Sequence, residues 1–268
     1  MAAVLAAAAT AAGATADGGG PTLGSVGGAL DGADGKTRYF ALGDGRRTVV
    51  LAVPRSAGRA AAYRWLRGWY GFPIVANDGT IEGLTRDGRV LTLAQPVGTL
   101  QAKTTFLRLD ARTLRLRQVV TLRGTYAYDA LSPDGTTMYL IQYLSAGDPP
   151  RYLVRAYDLE ARRLLRQIVS DRREPSRAMT GSPVTRVASR DGTWAYTLYV
   201  RPRLPFVHAL DTRHGNAVCI DLPWDGSAEA LASMRLRLAS EGKTLLVVHP
   251  NGSAVIAVNL TTFRARRV

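Results

Sequence analysis

The 268-residue sequence predicts an all-β fold made of five repeated antiparallel sheets, because one turn signature recurs along the chain. An acidic residue followed by glycine marks each copy, and an apolar, strand-like segment comes next. The acidic residues are Asp44, Asp87, Asp134, Asp191 and Glu241, which stand 43, 47, 57 and 50 residues apart. Periods of this size are typical of an array of supersecondary units.

A second series of residues repeats in step with the first. Each member ends a strand-like pattern, and the series consists of Asp110, Asp158, Asp211 and Asn259, at spacings of 48, 53 and 48 residues. Two independent marks with one period indicate that the whole pattern is a structural repeat.

The clearest repeat spans residues 126–170 and is predicted to hold four strands. Its first turn contains Pro133, Asp134 and Gly135, which are favoured turn residues for distinct backbone reasons. The segment 137–143 is rich in β-branched and aromatic residues, as expected of a strand, and further strands follow at 151–159 and 164–169. No helical periodicity interrupts them, so the unit is a four-stranded antiparallel meander.

Such a sheet cannot bury both faces alone, so neighbouring units must stack against it. A radial arrangement also protects the sheet edges, which predicts a β-propeller. Residues 36–268 accommodate five blades of four antiparallel strands at about 47 residues each. A β-sandwich is the competing architecture, but it does not predict a repeated turn at blade-length spacing.

The third repeat carries a family resemblance. Its segments SPDGTTMYLI and YLVRAYDLEARRLL resemble the YVTN and lactonase-like β-propeller repeat superfamily, whose blades are seven in number. The match is partial in the second, fourth and fifth repeats and poor in the first. The resemblance implies a propeller with a binding or enzymatic role on one face. It implies no catalytic residues, because the shared motif is structural.

The N-terminal segment predicts export. Residues 1–16 are small and apolar, and Ala14, Thr15 and Ala16 fit a signal-peptidase site, although no basic residue precedes them. The glycine-rich residues 17–35 predict a flexible linker. No other apolar segment is long enough to span a bilayer. Because of the N-terminal segment, we expect a secreted, extracytoplasmic propeller. We also expect the protein to be a monomer.

Charge and composition narrow the chemistry. The formal net charge is +14, which allows a glycan or another acidic envelope component as partner. The scattered positions of the arginines favour the simpler interpretation that they solvate the outer strands. Nucleic acid is disfavoured, because the arginines are scattered and are not interleaved with stacking aromatics. The single cysteine, Cys219, and the three histidines have no metal-ligand spacing, so neither a metal nor another cofactor is expected.

The repeat also predicts where a site would form. Five residues before the anchors stand Tyr39, Glu82, Asp129, Arg186 and Leu236. If the strands are in phase, Glu82, Asp129 and Arg186 converge near the channel mouth. Two carboxyl groups beside an arginine are the catalytic candidates for hydrolysis of glycosidase or lactonase type. The alternative is that Arg186 neutralises two acids in a structural role.

Aromatic and basic connections between repeats supply candidate ligand-binding residues: Trp69, Tyr70, Tyr126 and Arg177. Long connections on a rigid scaffold are where binding residues concentrate. These side chains are predicted to stack on and clamp a sugar or an acidic ligand on the loop face. With no recognisable catalytic motif, the sequence favours a noncatalytic ligand- or partner-binding scaffold and leaves the hydrolase open as the alternative.

Overall fold

The computed structural model describes residues 25–26, 28–145, 150–171, 173, 178–201 and 204–268. Five antiparallel sheets of three to five strands follow one another along this part of the chain, one for each predicted blade. Within each sheet the hydrogen-bonded order of the strands is their chain order. The all-β propeller prediction is therefore confirmed, and each blade is a meander.

The strands of the first two blades are as follows. A short strand, β1 (Ser25–Val26), precedes blade 1, which contains β2 (Gly28–Asp31), β3 (Thr37–Gly43), β4 (Arg47–Pro54) and β5 (Ala62–Arg67). The two-residue β6 (Phe72–Pro73) pairs with β1. Blade 2 has the regular strands β7 (Val90–Ala94), β8 (Lys103–Asp110) and β9 (Leu116–Arg123).

The remaining blades are regular. Blade 3 contains β10 (Thr125–Leu131), β11 (Thr137–Tyr143), β12 (Arg151–Asp158) and β13 (Arg163–Val169), and β14 (Met179–Thr180) also pairs with β12. Blade 4 contains β15 (Ser182–Ala188), β16 (Trp194–Val200), β17 (Phe206–Asp211) and β18 (Asn216–Asp221). A short helix, α1 (Ala228–Ala232), precedes β19 (Arg235–Leu238), β20 (Thr244–Val248), β21 (Ala254–Asn259) and β22 (Arg264–Arg267) of blade 5.

The repeated turn joins the first and second strands of each blade, but its copy in blade 1 is Asp34, not Asp44. Five glycines occupy the same left-handed position in these turns, with φ between 64° and 72°: Gly35, Gly88, Gly135, Gly192 and Gly242. Each donates its N–H to the carbonyl three residues earlier, at 2.8–2.9 Å. Asp44 instead begins the hairpin between β3 and β4, which lies at the opposite rim.

The position of the first-blade turn at Asp34 changes two further predictions. The flexible linker predicted for residues 17–35 does not hold at its end, because Gly28–Asp31 forms a strand paired with β3. The inner position equivalent to Glu82 in blade 1 is therefore Ala29, whereas Tyr39 lies on β3 and is buried. The signal peptide predicted for residues 1–16 lies outside the described residues.

The second repeated mark is a turn between the third and fourth strands. Asp110, Asp158, Asp211 and Asn259 each accept backbone N–H bonds from the residues that follow. Four positions after each anchor the backbone is left-handed, at Leu114, Arg162, Gly215 and Phe263. Three of these are not glycine, so the anchoring side-chain bonds hold a backbone conformation that the residue itself disfavours.

Four apolar clusters lie between consecutive blades. They join blades 1 and 2, 2 and 3, 3 and 4, and 4 and 5. Large side chains such as Phe72, Phe106 and Phe206 are fully buried in them. Blade-to-blade packing therefore supplies the core, as expected for a repeat protein. In the described part of the chain, no helix is long and apolar enough to cross a membrane.

The first strand of blade 2 is irregular. In place of a continuous ladder, bridges connect Ile74 with Ile81 and Leu84 with Leu91. Gly83 lies between them at φ 117°, and a Cβ there would stand 2.7 Å from the carbonyl oxygen of Thr92. Glycine is thus required where the backbone approaches β7 closely.

We expect Gly83→Ala to lower the free energy of unfolding by about 1–3 kcal/mol, because alanine disfavours this φ and its Cβ meets Thr92. Urea unfolding measures the loss. Gly98→Ala is the matched control, since a Cβ on Gly98 meets nothing within 4 Å. Equal stabilities for the two variants would contradict the close approach.

Candidate functional site in the central channel

A buried ion pair links blades 3 and 4 at the channel. Arg186 on β15 donates through Nη2 to the Asp129 carboxylate and through Nη1 to the Asp129 carbonyl oxygen. Its Nε donates to Thr197 Oγ1 at 2.8 Å. The side chains of Arg186 and Asp129 are only 1% and 2% exposed. The Nε, Nη1 and Nη2 atoms of Arg186 thus all donate to protein atoms, and Nη1 also faces Glu82.

Glu82 completes the predicted trio. Its Oε1 lies 3.6 Å from Arg186 Nη1, and its side chain is 27% exposed. The structure therefore brings together Glu82, Asp129 and Arg186, as the repeat register predicts. Their environments differ, because Asp129 is enclosed by protein and Glu82 is partly open.

Local backbone irregularities set the directions of the Asp129 and Glu82 carboxylates. Asp129 stands at a β-bulge, where the pairing of β10 with β11 skips one residue between Tyr128 and Ala130. A bulge turns a side chain away from the regular alternation of a strand. Glu82 precedes the tight Gly83 position, and its N–H donates to the carbonyl of Pro73 at 3.0 Å. The sequence marks neither irregularity except through Gly83.

Electrostatics reinforce the pairing. Burial opposes the charge on Arg186, but Asp129 and Glu82 more than offset it, so the pKa of Arg186 is raised and the guanidinium stays charged. The pKa of Glu82 is raised above its ordinary value of 4.5, first by loss of solvent and also by the nearby Asp129 charge, while Arg186 opposes the shift. Glu82 thus holds a proton more readily than an ordinary glutamate does.

A cavity of about 310 Å³ lies beside Glu82 at the end of the channel formed by the first-to-second-strand turns. Its apolar lining comes from blades 1 to 4: Leu30, Ile81, Leu84, Leu131 and Trp194. Glu82 contributes the one carboxylate and Arg86 the one basic side chain among its lining residues, whereas Asp129 and Arg186 do not line it. The cavity therefore meets one member of the trio.

Arg86 extends across this end of the channel. It belongs to the blade 2 turn, yet a Cβ built on Gly192 of the blade 4 turn would lie 3.5 Å from Arg86 Nη1. Among the described residues, the Arg86 side chain has no ion-pair or hydrogen-bond partner. Its guanidinium is exposed and placed beside the cavity.

The predicted ligand-binding aromatics lie elsewhere. Tyr70 and Tyr126 are 9% and 3% exposed and belong to the clusters between blades, so neither presents a ring to a ligand. Trp69 is 52% exposed but stands beside Gly43, at the rim opposite the cavity. Arg177 lies outside the described residues. Packing between blades buries the two tyrosines, and the pattern of a single repeat does not predict that packing.

A polar row that the sequence does not reveal crosses blade 4 from the channel outward. Arg186, Thr197, His208 and Cys219 are direct cross-strand neighbours on its four strands. His208 Nδ1 lies 3.8 Å from Cys219 Sγ, and burial lowers the pKa of His208 to about 4. Burial raises the pKa of Cys219 to about 12, so its thiol is a poor nucleophile. Among the described side chains, no three His, Cys, Asp or Glu residues are grouped to hold a metal ion.

Comparison with known proteins supports the fold. Neither a protein family nor a curated protein matches the sequence. The structure is similar to an oligogalacturonate lyase in complex with manganese, with a TM-score of 0.53 and 10% identity over 90% of this chain and 64% of that chain.

Two other similar structures are the β-propeller domain of Cps50 (Swd1) from Myceliophteria thermophila and a putative 6-phosphogluconolactonase from Bacteroides fragilis. The first has a TM-score of 0.49 and 14% identity over 87% of this chain and 64% of that chain. The second has a TM-score of 0.47 and 14% identity over 88% of this chain and 67% of that chain. At 10% identity the likeness to the oligogalacturonate lyase concerns the fold alone, and membership in the YVTN superfamily is not established. The chain spans about two thirds of these structures.

The depressed pKa of His208 predicts a loss of stability in acid. Folding favours its neutral form, so the stabilisation is complete above pH 6.5 and is lost as the pH falls toward 4. Between pH 7 and pH 4 the free energy of unfolding of the native protein should fall by about 3 kcal/mol more than that of the His208→Gln variant. Urea unfolding at several pH values measures the difference. His249→Gln, in a turn of blade 5, should follow the unsubstituted protein, and parallel curves for all three proteins would contradict the account.

Proposed function

We propose that this chain is a noncatalytic β-propeller scaffold that binds a small ligand in the cavity beside Glu82. One observation carries the proposal: of the two carboxyl groups predicted to act together, only Glu82 reaches the cavity. Asp129 is paired with Arg186 and is almost completely buried. The trio is therefore divided into a structural ion pair and a single accessible carboxylate.

This division disfavours acid–base hydrolysis by a carboxyl pair. Glycosidases place two carboxyl groups on either side of the bond to be broken, about 5–10 Å apart, and both must face the substrate. Asp129 cannot do so while Arg186 and blade 4 enclose it. The geometry of the pair supports the proposed noncatalytic role.

One observation favours the alternative of a hydrolase of glycosidase or lactonase type. The pKa of Glu82 is raised, which is the property required of a general acid near neutral pH. A hydrolase that used Glu82 alone would need water or a substrate group in place of the second carboxylate. This alternative therefore ranks second.

The lining of the cavity defines the ligand class. A volume of about 310 Å³ falls at the lower end of the range of small-molecule sites. Its wall is mainly apolar, Glu82 offers an acceptor for a cation or a hydroxyl group, and Arg86 offers a donor for an anionic group. We propose a compact ligand with an apolar body and polar ends, and this cavity replaces the Trp69 rim as the site.

A thermal-shift screen of glycosides, lactones, amines and amino acids tests the proposal. A binding hit should raise the melting temperature of the native protein and of Glu160→Gln, an exposed control, but not that of Glu82→Gln. Affinity for a cationic hit should weaken as the pH falls through the raised pKa of Glu82, because protonation removes the negative charge. Turnover that Glu82→Gln abolishes would replace the scaffold by the hydrolase, and an absence of any shift would contradict a cavity ligand.

We also propose that the protein acts outside the cytoplasm, on the strength of the small, apolar residues 1–16 and the site at Ala14–Ala16. The positive net charge suits an acidic envelope component there. Mass spectrometry of the protein expressed from its native locus should find an N-terminus near Asp17. Intact Met1 on cytoplasmic material would contradict export.

A further inference from the structure

A hairpin of blade 2 crosses the channel behind the cavity. It consists of residues 74–81, and two of its backbone N–H groups donate to carbonyls of β15 in blade 4 at 3.0 and 3.1 Å, Asn77 to Pro183 and Asp78 to Val184. The other end of β15 is Ala188, which lines the cavity on the far side of Arg186. A ligand therefore enters past the turns, and its inner end meets Glu82.

Tyr128 adds a second polar group at this inner end. The residue lines the cavity and is 1% exposed, yet its hydroxyl forms no hydrogen bond with the described residues. Burial raises the pKa of this phenol, and the charge of Glu82 adds to the shift because the two groups are close together. Buried tyrosine hydroxyls are normally hydrogen-bonded. Tyr128 therefore offers an unused hydrogen bond to a ligand that contacts Glu82.

The inner end also carries an unbalanced negative charge. Glu82 and Asp129 are two carboxyl groups beside one guanidinium, that of Arg186. Asp129 Oδ2 is buried and accepts no hydrogen bond from the described residues. Loss of solvent makes a carboxylate charge costly, and a cation placed against Glu82 offsets that cost. The inner end therefore favours a ligand group that is both a cation and a hydrogen-bond donor.

The outer end of the cavity offers donors instead. Arg86 and the indole N–H of Trp194 have no hydrogen-bond partner among the described residues, and both side chains line the cavity near the blade 4 turn. Two donors, one of them positively charged, are suited to an anionic group such as a carboxylate. The two ends of the cavity thus have opposite preferences.

The remaining polar side chains of the lining are already paired. The Ser132 hydroxyl donates to Asp134 and accepts the N–H of Thr137, and Thr212 Oγ1 donates to the carbonyl of Gly192. A sugar would leave most of its hydroxyl groups without partners against the apolar wall, which is unfavourable. The polar groups of the lining therefore suit a ligand with few polar groups, placed at its ends.

The charged ends stand well apart along the channel. Arg186, which faces Glu82, precedes the end of β15 by two residues, or about 7 Å. Gly192, beside Arg86 Nη1, lies in the turn beyond that end. An α-amino acid carries both charges on one carbon and cannot reach both groups, whereas an amine and a carboxylate joined by an apolar chain can.

We propose that the cavity binds an ω-amino carboxylate, with its ammonium group between Glu82 and Tyr128 and its carboxylate at Arg86. The apolar chain of the ligand packs on Leu84, Leu131 and Trp194. This inference rests on the proposed function, because it assigns a ligand class to the same cavity.

Isothermal titration of the full chain with four probes tests the inference: ε-aminocaproate, glycine, hexylamine and hexanoate. We expect ε-aminocaproate to bind most tightly, hexylamine more weakly, and glycine and hexanoate more weakly still. Glu82→Gln should weaken binding of both longer amines about tenfold or more, and Tyr128→Phe about two- to tenfold. Arg86→Gln should weaken binding of ε-aminocaproate and leave that of hexylamine unchanged.

Two control variants match these substitutions. Tyr157→Phe changes a buried tyrosine that packs in the same apolar cluster as Tyr128 but does not line the cavity. Arg115→Gln changes an exposed arginine away from the cavity. Both should bind every probe as the native protein does. Tyr128→Phe keeps the ring and removes a hydroxyl without a protein partner, so it should fold, and melting temperatures establish that each variant is folded.

The outcomes separate this inference from the proposed function. If neither amine binds while a neutral or anionic hit of the wider screen binds and is lost in Glu82→Gln, the cavity site stands and the amine class is overturned. Binding of ε-aminocaproate that is unchanged in Glu82→Gln or in Tyr128→Phe also overturns the inference. If neither the four probes nor any compound of the screen binds, the proposed function fails with it.

Discussion

The buried pair of Arg186 and Asp129 is the interaction on which the channel depends. Removing two charges from water costs several kcal/mol for each ion, and only close mutual contact with further hydrogen bonds offsets that cost. Here the guanidinium contacts the carboxylate and the backbone carbonyl of Asp129 and the hydroxyl of Thr197. Such a pair adds little net stability as a whole, but removing one partner from it is strongly destabilising.

That arrangement determines what the channel can do. Because Asp129 is directed by a bulge toward Arg186, it is withdrawn from the cavity, and Glu82 is left as the accessible carboxylate. The irregular first strand of blade 2 places Glu82 at the cavity wall, where partial loss of solvent raises its pKa. Local backbone geometry thus divides the two predicted catalytic carboxyl groups into one buried ion pair with Arg186 and one accessible carboxylate.

Much of this fold is predictable from the repeat. The strand at Thr137–Tyr143 begins and ends where its apolar pattern predicts, and Glu82, Asp129 and Arg186 meet because equivalent positions in successive blades face one channel. The sequence pattern wrongly places the turn of the first blade at Asp44, because Asp44 and Gly45 are the same residue pair as the true copy, Asp34 and Gly35. The spacing held the missing signal: from Asp34 to Asp87 is 53 residues, well within the range of the other intervals.

Properties that arise between blades are not readable from one repeat. Tyr70 and Tyr126 are of a residue type that often stacks on ligands, but neighbouring sheets bury them. Likewise, Tyr63 and Trp65 on β5 are ordinary strand residue types, yet both are mostly exposed, at 68% and 62%. The apolar character of a side chain predicts that it will be buried against other apolar groups. Only the assembled array of blades shows which groups are present.

A double-mutant cycle on Asp129 and Arg186 tests the central claim most directly. Unfolding free energies are needed for the native protein, Asp129→Leu, Arg186→Leu and the double variant. Arg186→Leu leaves the buried Asp129 charge without its partner, and Asp129→Leu leaves Arg186 with only the more distant Glu82. Each single substitution should therefore cost about 3–5 kcal/mol, and the double variant should cost clearly less than their sum. Additivity within about 0.5 kcal/mol would show that the two side chains do not depend on each other and would contradict the account.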